Sequence, residues 1–107
     1  MKKIGQVCGI TLENAEKYIE YHNNVPKEIR ELIRECNIRN YRIFYRNGLL
    51  FSYYDYIGEN YEEDMRKMAE NADNQKWWDL VKPIMSPLAD RKKGEFWADM
   101  DLIFEQE

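Results

Sequence analysis

The dipeptide Asn47-Gly48 lies between two β-rich runs, Ile38 to Arg46 and Leu49 to Ile57, and it constrains the fold more than any other feature of the chain. A two-residue hairpin turn needs positive φ at both central positions, which Asn and Gly tolerate better than other residues. Such a turn fixes the register of the strands. Arg46 faces Leu49, Phe44 faces Phe51, Tyr41 faces Tyr54 and Ile38 faces Ile57. Two unlike faces result. One carries Ile38, Phe44, Phe51 and Ile57 and is the face expected to meet helices. The other carries Tyr41, Ile43, Tyr45, Leu50, Ser52, Tyr54 and Tyr56. Its hydroxyls suit a ligand site or a subunit contact, and Tyr also favours an ordinary half-exposed sheet face.

The flanking segments supply the other elements. Lys2 to Ile10 alternates like a strand, with apolar Ile4, Cys8 and Ile10 interrupted by Gln6. Thr11 is an N-cap candidate for a helix whose stripe is Leu12, Ala15 and Ile19, with Tyr18 and His22 on its flank. Asn23-Asn24-Val25-Pro26 ends it, since Pro26 biases Val25 away from helical dihedrals. A second helix buries Ile29, Leu32, Ile33 and Cys36 and leaves Arg30, Glu31, Arg34 and Glu35 in water. Asn60 is placed to cap a third helix with the stripe Tyr61, Met65, Met68, Ala69 and Ala72. Asp73 is placed to cap a fourth that carries Trp77, Trp78, Leu80 and Val81 and stops near Pro83. Ser86 to Glu95 reads as a polar loop, and Phe96 to Phe104 as an extended terminal segment.

The order β-αα-β-β-αα-β over residues 1–107 predicts one α+β domain, a ferredoxin-like sandwich with an antiparallel sheet and helices on one face. An open aromatic sheet face predicts a homodimer formed through it. The net charge of −4 argues against a nucleic-acid partner. Cys8 and Cys36 have no metal-binding spacing, and no apolar run is long enough to span a bilayer or serve as a secretory leader. These features predict a cytoplasmic protein with reduced thiols, no membrane partner and no metal.

The chain lacks a Gly-rich phosphate loop, a dinucleotide fingerprint, a zinc-protease helix and a G-x-S-x-G elbow. What remains is acid–base chemistry at His22, the only histidine. Tyr18 lies one helical turn before it. The adjacent Trp77-Trp78 pair is of a kind that packs the C–H faces of a sugar, whose hydroxyls then need Tyr, Asn, Arg or carboxylate partners. Anomer exchange of a sugar needs only proton movement at the C1 hydroxyl and ring oxygen, and therefore no cofactor. The same residues also fit plainer roles: a histidine at a helix end as a polar cap, and a Trp pair divided between core and boundary.

Four ordered segments resemble the L-rhamnose mutarotase family: Tyr18 with His22 in KYIEYHNNVPKEI, Asn40-Tyr41 in IRNYRIFYRNGLLF, Trp77-Trp78 in NQKWWDLV, and the closing FWADMDLIFEQE. The resemblance implies a dimeric α/β-barrel type of ferredoxin-like fold and an isomerase that interconverts anomers of a 6-deoxy sugar. It implies His22 as the catalytic proton donor and Tyr18, Tyr41, Trp77 and Trp78 as substrate-binding residues. Pro26 stands where the family pattern has a tryptophan. Two other functions share this fold and site: a cofactor-independent oxygenase of electron-rich aromatics, and a non-catalytic sugar-binding or dimerisation module.

Overall fold

A computed structural model describes residues 1–107. The hairpin forms where the sequence places it. Asn47 and Gly48 have φ of 49° and 90°, and β2 (Ile38–Arg46) pairs with β3 (Leu49–Tyr56) from Arg46↔Leu49 to Arg42↔Tyr53 in the expected register. Beyond that point the register shifts. Arg39 opposes Asp55 and Ile38 opposes Tyr56, so Asn40 and Tyr41 together face the single residue Tyr54. This is a β-bulge with Asn40 in the left-handed region at φ 55°. Asparagine tolerates that region better than most residues, and its Nδ2 donates to Asp55 Oδ2 at 2.9 Å. The expected pairings Tyr41 with Tyr54 and Ile38 with Ile57 are thus replaced. The extra residue turns Ile38 into the core and leaves Ile57 exposed.

The helices also cover the other face from the one expected. Leu50, Ser52, Tyr54 and Tyr56 are buried, whereas Phe44 is 59% exposed. The reason lies in β1 (Lys2–Ile10), which pairs with β3 from Lys2↔Tyr56 to Gly9↔Leu49. Beside Tyr54, Ser52 and Leu50 it presents Ile4, Gln6 and Cys8, of which Cys8 is fully buried and the other two line a cavity under the helices. On the opposite face it presents Lys3, Gly5, Val7 and Gly9, of which only Val7 offers a helix an apolar side chain. The tyrosine hydroxyls of the covered face find partners: Tyr54 meets Tyr61 at 2.5 Å, and Tyr56 donates to Asp64. The hydroxyl-rich face is therefore an inner wall, and the Phe44–Phe51 face is the open one.

The helices are α1 (Leu12–His22), α2 (Lys27–Glu35), α3 (Tyr61–Glu70) and α4 (Ala72–Val81). Thr11 and Asn60 cap α1 and α3 as expected. Asn71, not Asp73, caps α4, accepting from the Asn74 N–H at 2.9 Å. In α1 the buried residues are Ala15 and Tyr18, while Leu12 is 68% and Ile19 45% exposed. The apolar stripe expected through Leu12 and Ile19 is rotated, because the broad ring of Tyr18 fills the core beside Cys8 and Leu50. After α4 a single 3₁₀ turn leads to β4 (Met85–Ser86), whose second residue begins the segment expected to be loop. The terminal strand is only β5 (Ala98–Met100). Both pair antiparallel with β1, β4 at Gly9–Ile10 and β5 at Gly5–Val7, giving the sheet order β2-β3-β1-β4/β5 of a ferredoxin-like α+β sandwich. No helix is long and apolar enough to cross a membrane.

Candidate active site

The helical spacing of Tyr18 and His22 brings their rings together as expected. They stack with centroids 4.2 Å apart and planes 28° apart. His22 Nδ1 donates to the Tyr18 carbonyl at 2.9 Å. A carbonyl only accepts, so Nδ1 carries the proton and neutral His22 keeps a bare lone pair on Nε2. Burial pushes the imidazole below its ordinary value, with the Tyr18 carbonyl opposing that shift. Tyr18 itself is 4% exposed, and burial raises its phenol far above the usual range. It lies beneath His22 rather than among the residues that line either main cavity.

His22 opens into a cavity of about 400 Å³ between α1, α2, β2 and α4, lined also by Val25, Ile29, Ile33, Ile43, Arg30, Tyr41 and Trp77. The indole of Trp77 meets the imidazole edge-on, with centroids 5.2 Å apart and planes at 67°. Tyr41 arrives from the bulge. The residue is 40% exposed, and desolvation pushes its phenol up. Its ring packs edge-on to that of Tyr54, with centroids 5.4 Å apart. The structure thus gathers His22, Tyr41 and Trp77 around one space.

Trp78 belongs elsewhere. Neighbouring residues on a helix point about 100° apart, so Trp78 lines a second cavity of about 660 Å³ on the far side of Tyr41. Its ring is capped by the Lys82 ammonium, 3.9 Å from the ring centre, and the same ammonium lies 4.9 Å from Phe96. This cavity holds residues that sequence reasoning missed as site residues: Gln6, Tyr54, Tyr61, Trp97 and Asp99. One signal was available. Gln6 interrupts the apolar alternation of β1 at an inward position, where a polar side chain needs a reason. Asp99 gave no such signal, because its inward direction follows from β5 pairing Gln6 with Asp99.

An antiparallel sheet with helices on one face and aromatic cavities between them defines a ferredoxin-like α+β protein with two cavities of small-molecule size. Two solved structures share the fold over the whole chain. An L-rhamnose mutarotase from Formosa agariphila superposes with a TM-score of 0.77 at 20% identity, covering 100% of both chains. Tetracenomycin F2 cyclase from Streptomyces glaucescens, a type-II polyketide cyclase, gives 0.76 at 13% identity, covering 100% of this chain and 98% of its own. In sequence, the chain is 33% identical over 92 residues to the L-rhamnose mutarotase of Oceanobacillus iheyensis, covering 84% of this chain and 86% of the relative. Residues 3–106 match the L-rhamnose mutarotase family, and the chain belongs to that family.

Proposed function

We propose that this protein is an aldose mutarotase that interconverts the α and β anomers of L-rhamnose or a related 6-deoxy sugar without a cofactor. The observation that carries this reading is the state of His22. Its Nδ1 is tied to a carbonyl, its Nε2 is free, and it faces a sugar-sized cavity. Nε2 takes the proton of the C1 hydroxyl as the ring C–O bond breaks, and the imidazolium so formed returns it to the ring oxygen. The sugar opens to the aldehyde, C1 turns, and the reverse transfers close the ring on the other face. No net proton is gained or lost.

The cavity suits a deoxy sugar. Val25, Ile29, Ile33 and Ile43 form an aliphatic wall that accepts a methyl group in place of a hydroxymethyl, while Arg30 and Tyr41 offer polar partners to ring hydroxyls. Trp77 holds the edge of His22 and offers its remaining surface to the sugar ring. Trp78 contributes from the neighbouring cavity. Tyr18 acts through its carbonyl and its stacked ring, as a positioning residue. Pro26, next to Val25 of this wall, stands where the family pattern has a tryptophan.

The homodimer expected through the tyrosine face belongs instead to the open Phe44 face, because the tyrosine face is covered by helices. Phe44 and Leu49 are exposed on the open face away from the cavities, and Met100 is exposed on it beside the larger one. The reduced-thiol state and a cytoplasmic setting fit buried, unpaired Cys8 and Cys36.

Two-dimensional exchange NMR on L-rhamnose tests the activity. The wild type is expected to raise the anomer exchange rate above buffer, and His22→Ala to abolish the increase. No acceleration, or an unchanged rate in His22→Ala, removes the assignment. Sugar binding without accelerated exchange would make the protein a binding module instead.

A further inference from the structure

The larger cavity contains a donor and an acceptor set side by side. Gln6 Nε2 donates to Asp99 Oδ1 at 2.9 Å, which holds the carboxylate and leaves Oδ2 without a protein partner. The Tyr54 and Tyr61 hydroxyls share one hydrogen bond at 2.5 Å, so the pair keeps one proton to give. Asp99 lines the same cavity as both phenols, and its charge adds to the burial that raises them. The residues come from four elements, β1, β3, α3 and β5, and converge on one space walled by Trp97. A sugar hydroxyl both donates and accepts. A carboxylate oxygen beside a phenol proton, against an indole, meets both needs.

We propose that Gln6, Tyr54, Tyr61 and Asp99 form a hydroxyl-binding subsite that reads the sugar at positions remote from the anomeric carbon, with Asp99 as the acceptor that sets specificity. This rests on the reading that a sugar reacts at His22. Tyr41 lines both cavities, so the subsite adjoins the His22 cavity at the Tyr41 ring. Gln6 acts through Asp99, as a positioning residue. Asp99 is exposed at the cavity rim, so replacing it removes an acceptor without leaving a hole in the core.

The test pairs exchange kinetics with direct binding on the full chain. L-rhamnose affinity is read by tryptophan fluorescence titration, and the exchange rate by NMR across a range of sugar concentrations. Asp99→Leu is expected to raise KM and Kd for L-rhamnose at least about tenfold while kcat changes little, the pattern of lost uniform binding. Gln6→Leu is expected to shift both in the same direction by less. A matched far-UV spectrum and melting curve confirms that each variant folds. An active wild type with KM and Kd unchanged in Asp99→Leu overturns the subsite and leaves the mutarotase reading standing. A wild type that binds rhamnose through Asp99 without accelerating exchange upholds the subsite and overturns that reading. A wild type with neither binding nor acceleration overturns both.

Discussion

His22 donates through Nδ1 to the Tyr18 carbonyl, so every proton it exchanges with a ligand passes through Nε2. Its pKa lies below the ordinary value of 6.5 because burial disfavours the imidazolium. The neutral base is then the resting form at pH 7. The exchange rate is expected to hold as pH falls to 6.5 and to drop only below it. His22→Gln is expected to remove that acid limb and to lower the rate at least about 100-fold. An acid limb centred above pH 6.5 would contradict the buried, carbonyl-tied imidazole. Asp55 obeys the opposite sign on the open face of the sheet. The Tyr53 hydroxyl at 2.6 Å, the Asn40 amide at 2.9 Å and Lys3 at 3.2 Å hold its carboxyl at about 2. A carboxyl depressed in the fold stabilises it above the unfolded value near 4, and this contribution fades as pH falls from 4 through 2. Asp55→Ala is expected to cost about 2–3 kcal/mol at pH 7, because it strands hydrogen-bonding groups made for a charge. Thermal melts between pH 7 and 2 should show the variant's deficit shrinking as the wild-type carboxyl protonates.

The bulge in β2 is the element on which the site turns. It points Tyr41 at the two cavities, and it depends on Asn40 holding φ 55°. Asn40→Gly keeps that conformation available and loses only the bond to Asp55, for an expected cost of about 1 kcal/mol. Asn40→Val loses the bond and adds β-branched strain in the left-handed region, for an expected cost of about 2–3 kcal/mol. The valine variant should also raise KM for the sugar through a displaced Tyr41, and the glycine variant should not. Equal KM values in the two variants would separate the bulge from the site. The same element marks where reading the sequence stopped. The Asn47-Gly48 turn is local, so its chemistry was visible in two residues. The bulge is set by a contact from Asn40 to Asp55, 15 positions away, and nothing beside Asn40 announces it. The choice of inner face was hidden for the same reason, since it depends on the bare Gly5 and Gly9 of β1 and on partners that α3 brings to Tyr54 and Tyr56. His22 over Tyr18 needed only one helical turn and was legible. The parting of Trp77 from Trp78 follows from helix geometry. That they face two cavities became visible only once Tyr41 was in place between them.

At the scale of the whole molecule the sheet divides two tasks. Its inner face, with Tyr41, Tyr54 and Gln6, lines the cavities, and its outer face is left to water or to another protein. Phe44, 59% exposed, lies on that outer face with Leu49 and Met100, ringed by Arg42, Arg46 and the Lys3–Asp55 pair. An apolar centre inside a charged rim is the usual anatomy of a subunit contact. A second copy offers the same pattern after a two-fold rotation. Sedimentation at micromolar concentration is expected to give twice the chain mass of 13.0 kDa. Phe44→Arg sets a charge in the apolar centre on both copies and is expected to yield monomers with an unchanged far-UV spectrum. A wild type that sediments as a monomer would remove the dimer. Because His22 and its cavity lie on the opposite side of the sheet, the monomeric variant is expected to keep its anomer exchange rate within about threefold. A larger loss, with the fold intact, would mean that the partner completes the pocket across the sheet edge, since the outer face itself does not reach His22.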